Sequence, residues 1–309
     1  MGWFGEVGRA LGHLLVVMLG TATLVFAVLR LTGDPAMMIA PPGATVDDLT
    51  AIRRELGLDR SISVQYVEFL RRLAVGDLAE SFRYRRPALE IVIERAGATV
   101  QLALAAQLLA IVVAIPLGVI AAVRRDSWLD GAVTGFATLG QSLPHFWLGL
   151  MAIVVFAVYL GWLPTSGRGG WLHLVLPAST LSFYSMASLT RLMRSSVLEV
   201  LGSDYIRTAR AKGLSAGRVL CKHALKNALI PVVTLAGLQL GVLLSGAVIV
   251  ETVFAWPGIG RLIVEAIHTR DYPLVQAGVV LMALLFVVVN QGVDYCYRWL
   301  DPRVAEGRR

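Results

Sequence analysis

The sequence predicts an all-α, polytopic membrane protein with six transmembrane helices, and three observations carry that prediction. Of 309 residues 56% are hydrophobic and 16% charged, with a mean hydropathy of +0.69; a soluble chain carries roughly 25% charged residues. Six runs lack Asp, Glu, Lys and Arg: residues 10–29, 96–123, 131–167, 171–190, 227–250 and 273–293. Each matches the roughly 20 apolar residues that a bilayer crossing needs. Finally, basic residues gather in alternate connections. Helices are required, because an open sheet leaves unpaired backbone groups in lipid.

Each element follows from its residues. Arg9 before the first run would also suit a signal peptide. The run exceeds the usual 7–15 residue core, however, and no small-x-small cleavage site follows, so a retained helix is expected. The third run exceeds one span; its helix is expected over 131–160, with Pro164, Thr165, Ser166 and Gly167 as a turn. Between the first two spans, Asp47 and Asp48 open an amphipathic helix over 47–56 (Leu49, Ile52, Leu56), which Gly57 stops. A second, over 64–73, carries Val64, Val67, Phe69, Leu70 and Leu73. Together these suggest a small external subdomain.

Charge orients the bundle. Arg207, Arg210, Lys212, Arg218, Lys222 and Lys226 crowd residues 195–226 against Glu199 and Asp204. Arg124 and Arg125 follow the second helix, and Arg298, Arg303, Arg308 and Arg309 mark the tail. The loop after the third helix holds only Arg168. Positive loops stay in the cytoplasm, so both termini and loops 124–130 and 195–226 are expected inside, and 32–95 outside. The net charge of +7 thus reads as a topology signal, not a nucleic-acid surface. The division is 1–31 (N-terminus and first helix), 32–95 (extracytoplasmic), 96–299 (five-helix core with the 195–226 loop) and 300–309 (cytoplasmic tail). Cys221 and Cys296 fall inside, where reducing conditions disfavour a disulfide, and two isolated cysteines make no metal site.

The loop from Asp204 to Pro231 is the most informative stretch. Residues 204–212 have a helical pattern, acidic at the start and basic near the end, matching the helix dipole. Gly213 suits a left-handed stop, and the Ser215 hydroxyl suits a cap on a second helix. Two short helices hinged at Gly213-Leu214 along the membrane face are expected. Ala209, Ala211 and Ala216 would let another protein approach closely.

This loop resembles the EAA loop of ATP-binding-cassette importer permeases, in the dipeptide, oligopeptide and nickel branch. The resemblance covers nearly the whole chain: Gly33-Asp34-Pro35; Leu56-Gly-Leu-Asp59 with Gln65-Tyr66; Gly76-Asp77-Leu78 with Ser81; Ala98-Thr-Val-Gln-Leu102; Ser142-Leu-Pro144 with Phe146-Trp147; Leu176-Pro177-Ala178; Glu251-Thr-Val-Phe254; Pro257-Gly258-Ile-Gly260; and Leu300-Asp-Pro-Arg303. The chain departs from the pattern at Arg207, where the general motif has an acid, at Thr208 for alanine, at Lys226 for its closing proline, and at Ala79, where this branch usually has glycine. The resemblance implies a type I importer permease fold in a bacterial cytoplasmic (inner) membrane. It implies a coupling helix docked on a separate ATPase through Asp204, Tyr205, Arg207, Ala209, Arg210, Ala211, Lys212, Gly213, Leu214 and Ser215. The implied partners are a second homologous permease, two cytoplasmic ATPases that hold ATP and Mg, an extracytoplasmic solute-binding protein and membrane lipid. Peptides, nickel chelates, glutathione and opines are substrates of similar permeases.

Other readings concern what the chain lacks and what it buries. Its lysines are Lys212, Lys222 and Lys226, none followed by Ser or Thr, so a P-loop cannot form; the chain is expected to bind no cofactor and to be no enzyme. Gln101, Gln107, Gln141, His145, Gln239, Asn290 and Gln291 suit either a polar pathway or interhelical hydrogen bonds. Gln141, His145, Gln239 and Asn290 are the pathway candidates. Gly131-x-x-x-Gly135 and Gly237-x-x-x-Gly241 suggest close helix packing, and Pro116, Pro144 and Pro177 suggest bends. Glu251 and Asp294, at span ends, are expected to be solvated. A stand-alone secondary transporter would call for an internal repeat and a mid-membrane charge, and neither is evident. An intramembrane hydrolase would need a catalytic grouping, which the sequence does not offer.

Overall fold

The computed structural model describes residues 3–32, 36–40, 43–55 and 57–300. The Gly33-Asp34-Pro35 motif, Leu56 and residues 301–309 lie outside them. The helices are α1 (Trp3–Thr32), α2 (Ala36–Ile39), α3 (Val46–Glu55), α4 (Ile62–Ala74), α5 (Ala88–Val123), α6 (Trp128–Ser142) and α7 (His145–Ala152, extended by wider π-helical turns over Ile153–Tyr159). Then come α8 (Leu172–Leu201), α9 (Asp204–Ala211), α10 (Ala216–Arg218, continued by π-helical turns over Val219–Ala224), α11 (Leu225–Val253), α12 (Ile259–His268) and α13 (Tyr272–Leu300). Among the described residues the only β pairing is one isolated bridge, Glu80 to Pro87.

Among the described residues, four helical stretches are long and apolar enough to cross a membrane: Leu14–Leu31, Ala88–Val123, Ala216–Val253 and Tyr272–Val293. The α6–α7 pair makes a fifth if counted as one broken span. Helix α8 has the length, but Ser179, Thr180, Ser182, Ser185, Ser188 and Thr190 dilute its apolar stretch.

The single helix expected over 131–160 is not found. α6 and α7 meet at 110°, with Leu143 (ψ 130) and Pro144 (ψ 138) extended between them. The proline ring pushes the residue before it out of the helical region. Pro116, Pro177 and Pro231, by contrast, sit inside continuous helices.

The chain divides into two compact units. One comprises Met1–Thr99 and Pro257–Val287. Here α3 and α4 form where the sequence places them. Thr45 and Asp48 cap α3 reciprocally: the Thr45 amide donates to Asp48 Oδ2 at 2.8 Å, and the Asp48 amide to Thr45 Oγ1 at 3.3 Å. The hydrogen bonds from the Thr45 backbone and side chain hold the Asp48 carboxyl below its ordinary range. Gly57 follows α3 at φ +64°. Phe26 on α1 stacks on Phe69 and meets Tyr66 edge-on, both from α4, and Thr23 and Tyr66 hydroxyls lie 2.6 Å apart. Leu78, Ile91 and Val92 pack with Ile259, Leu262 and Leu274 as the apolar core. Asp271 is buried but fully engaged: Ser81 Oγ and the Arg83 amide donate to Oδ2, at 2.5 and 3.1 Å, and the Leu274 amide to Oδ1 at 3.3 Å. Such partners offset the cost of burying a carboxylate. Ala79 takes a left-handed conformation, φ 60°, which only glycine adopts without strain.

The other unit comprises Val100–Trp256 and Val288–Arg309. Its core joins α5 (Ala110, Ala114), α8 (Leu189, Met193, Val197) and α11 (Ala228, Val232, Ala236). Close approach comes at two glycines outside the Gly131-x-x-x-Gly135 motif. A Cβ on Gly118 would lie 2.5 Å from Met193 Cβ, and one on Gly140 would lie 2.6 Å from Ala187 Cβ. Gly131 and Gly135 face open space, with nothing within 4 Å of an added Cβ. Asp130 on α6 is buried and receives two hydrogen bonds from Arg194 on α8, at 2.5 and 2.7 Å. Glu251, expected in solvent, is completely buried; there, at the end of α11, the Trp256 amide donates to the Glu251 carbonyl at 2.8 Å. The side chain of Asp294 lies outside the described residues.

Candidate functional site

The loop after α8 folds into a compact element. α9 is amphipathic: Ile206 and Ala209 turn inward onto Val219 and Ala224, with Leu214 and Leu220 packed around them. Ala209, read from sequence as a small residue open to a partner, therefore belongs to this local core. The opposite face is in solvent. The side chains of Asp204 and Arg207 are 95% and 76% exposed, 3.4 Å apart, and Arg210, Ala211 and Lys212 are exposed beside them. Tyr205 stays partly open while Asn227 Nδ2 donates to its hydroxyl at 2.8 Å, so α9 is tied to the first turn of α11.

Gly213 has φ +79°. Its amide donates to the Arg210 carbonyl at 2.9 Å, and the Leu214 amide to the Ala209 carbonyl at 3.4 Å. These two bonds make a complete Schellman stop, as the glycine predicted. Two expectations fail just beyond it. Ser215 is extended (φ −63°, ψ 148°) at the start of α10, but its hydroxyl makes no capping bond. Nor is there a separate second short helix. α10 runs through the π-helical turns directly into α11, making Ala216–Val253 one 38-residue stretch. No glycine or proline falls between Arg218 and Ile230 to stop it. The resulting surface combines exposed small residues (Ala211, Gly213, Ser215, Ala216, Gly217) with exposed Arg207, Arg210, Lys212 and Arg218.

The polar residues of the helical core do not converge on one site. Gln239 is buried, and Ser185 Oγ donates to its Oε1 at 2.5 Å while lying 3.3 Å from Gln107 Oε1. Gln107 Nε2 is buried with no partner among the described residues. Gln141 Nε2 donates to Ser188 Oγ at 3.4 Å. His145 opens α7 with its ring edge-on to Tyr184 at 6.5 Å and a buried, unpartnered Nδ1. Asn290 is half-buried on α13. Gln101 accepts from Arg168 at 2.7 Å. Ser185 and the Asp130–Arg194 pair carry no motif; partners 54 to 78 positions apart leave no local spacing to read. Among the described residues, no three His, Cys, Asp or Glu side chains group to hold a metal.

The model of the "Binding-protein-dependent transport system inner membrane component" family matches residues 114–306, and that of its N-terminal part matches residues 6–103. A peptide transport system permease protein of Brucella abortus is 44% identical over 305 residues, covering 96% of this chain and 97% of the relative. The dipeptide transport system permease protein DppB of Alkalihalophilus pseudofirmus is 41% identical (96% and 98% covered). The glutathione transport system permease protein GsiC of Salmonella choleraesuis is 42% identical (96% and 97% covered). Among solved structures, an inward-facing MetNI methionine ABC transporter chain superposes with a TM-score of 0.58 at 19% identity, over 68% of this chain and 96% of that one, a likeness of fold. The chain belongs to the binding-protein-dependent transport system inner membrane components and is a permease subunit of an ATP-binding-cassette importer.

Proposed function

We propose that this permease forms half of a translocation pathway for peptides or a similar small solute, driven through α9 and Gly213. The observation that carries the coupling role is the Schellman-ended α9, with one face held on its own core and the other offered to solvent. The named peptide, dipeptide and glutathione permeases support the solute class. In this reading the chain makes six spans: α1, α5, the α6–α7 pair, α8, α11 and α13. Both termini and α9 face the cytoplasm, and α3 with α4 form an extracytoplasmic subdomain in a bacterial inner membrane. A second permease completes the pathway, a solute-binding protein delivers the substrate, and two ATPases bind ATP and Mg. No residue of this chain is catalytic, and it binds no cofactor.

Copurification tests the reading. The chain drawn from native membranes should bring a P-loop ATPase with it, and hydrolysis should be at background for the chain alone. Vesicles holding the whole assembly and its binding protein should take up labelled di- or tripeptide with ATP. ATP hydrolysis by the isolated chain, or ATP-independent uptake, would overturn it.

A further inference from the structure

The unit of Met1–Thr99 and Pro257–Val287 holds a cavity of about 390 Å³ that the transport reading does not use. We propose that it binds the phosphodiester headgroup of a membrane phospholipid. Its floor is aromatic, made by Phe26 of α1 and Phe69 of α4, and its rim is guanidinium-rich, with Arg30, Arg54, Arg60 and Arg72. Against these four stand Glu55, Glu68 and Asp77, leaving one positive charge in excess, the complement of a single phosphodiester. Arg72 is engaged by Glu68 at 3.3 Å. The Arg54 and Arg60 side chains are exposed and have no ion-pair partner among the described residues, which leaves both free for an anion. Guanidinium forks match phosphate oxygens in pairs.

Depth selects a lipid over a free solute. Phe26 and Arg30 belong to the last turns of the apolar stretch Leu14–Leu31, so the floor sits where a span leaves hydrocarbon for headgroups. Arginines near span ends reach that level. The flanks suit acyl chains. Val28 and Leu31 on α1 are 48% and 86% exposed, and Ile62 and Val67 on α4 are 68% and 65% exposed. Val67 lies one helical turn before Arg71 on α4, an apolar and a basic side chain on one exposed strip, as on a helix lying in a membrane interface.

The test uses the full chain in its purified assembly, with thermal unfolding read against short-chain dihexanoyl-phosphatidylglycerol and dihexanoyl-phosphatidylethanolamine. Phospholipid carried over from native membranes is measured by native mass spectrometry. Both short-chain lipids should raise the unfolding temperature, and wild type should retain bound phospholipid. Arg54→Ala with Arg60→Ala should weaken short-chain lipid binding about thirtyfold and strip the retained lipid. The charge-keeping pair Arg54→Lys with Arg60→Lys should hold most of it, and Arg124→Ala with Arg125→Ala, at the end of another span, should change nothing. Unaltered lipid binding in the Arg54/Arg60 alanine variant, or equal loss in the Arg124/Arg125 variant, would overturn the site. Inorganic phosphate binding as tightly would make it a free-ion site, and trialanine displacing the lipid would make it a solute site; either result also overturns the proposal.

Discussion

The chain interrupts its helices in two contrasting ways. At Gly213 the interruption is self-contained: φ is +79°, two backbone bonds close the stop, and nothing lies within 4 Å of where a Cβ would be. At Leu143-Pro144 the local cause is the proline, but both arms are pinned elsewhere. Gly140 on α6 sits against Ala187, and Gly149 on α7 against Phe254 and Val253. The first joint is held by its own short-range bonds and the small Ile206 cluster beside it; the second cannot deform without unpacking α8 and α11. A break closed by its own backbone bonds therefore differs from a bend held in place by distant packing.

The sharpest way to break this comparison is at the pinned bend. Gly140→Leu drives a side chain into Ala187 and the Phe183 carbonyl, 2.6 and 3.3 Å from the new Cβ. Overpacking of this kind costs about 1–3 kcal/mol or more, so the purified subunit should lose most of its thermal stability in detergent. Gly131→Leu on the same helix, facing open space, should unfold at the wild-type temperature. Leu is the better helix former at both sites, so equal losses in both variants would mean that the contact with Ala187 does not set the cost.

Gly213→Val should have a smaller effect on stability and a large one on transport. The strain of a left-handed β-branched residue is about 1–2 kcal/mol, confined to the junction of α9 and α10. Insertion and subunit abundance should stay near normal while peptide uptake falls sharply, through weaker ATPase attachment or hydrolysis uncoupled from transport. Wild-type uptake with normal ATPase binding would remove α9 from the coupling role.

The smallest effect is a gain. Ala79 is left-handed at φ 60°, where this branch of permeases usually has glycine. Ala79→Gly removes the Cβ conflict but adds unfolded-chain entropy, so a stability increase of at most about 1 kcal/mol is expected by thermal unfolding. A decrease would mean that the turn before Ser81 is held by its side chain.

Which parts were legible follows the same division. α3, α4, α9 and the Gly213 stop were readable because first-turn acids (Asp47, Asp48, Asp204), apolar spacing and the stops at Gly57 and Gly213 act on neighbours within a few positions. The bend at Pro144 was readable only as a kink, since its arms are fixed by Ala187 and Phe254. Gly131-x-x-x-Gly135 has the spacing of a packing motif but faces open space, while Gly118 and Gly140, without that spacing, make the tight contacts. Burial of Glu251 was invisible for a related reason: a position at the end of an apolar run does not reveal that the chain there is packed inside, with Phe254, Trp256 and Glu251 all buried together. Ser215 shows the converse, a residue suited to capping whose hydroxyl makes no cap bond.

The absence of a break between Ala216 and Val253 has a mechanical consequence. Thirty-eight helical residues rise about 57 Å, nearly twice the roughly 30 Å hydrocarbon thickness. One end of this rod must therefore stand clear of the bilayer, and α9 is fastened beside its first turns through Asn227 and the Ile206 cluster. In the proposed coupling the rod would act as a crank: pressing its free end sideways would tilt the whole shaft, and the shaft's far half would sweep the opposite way. A push on α9 thus needs no chain of rearranged side chains to be felt across the membrane, only a rod stiff enough not to bend.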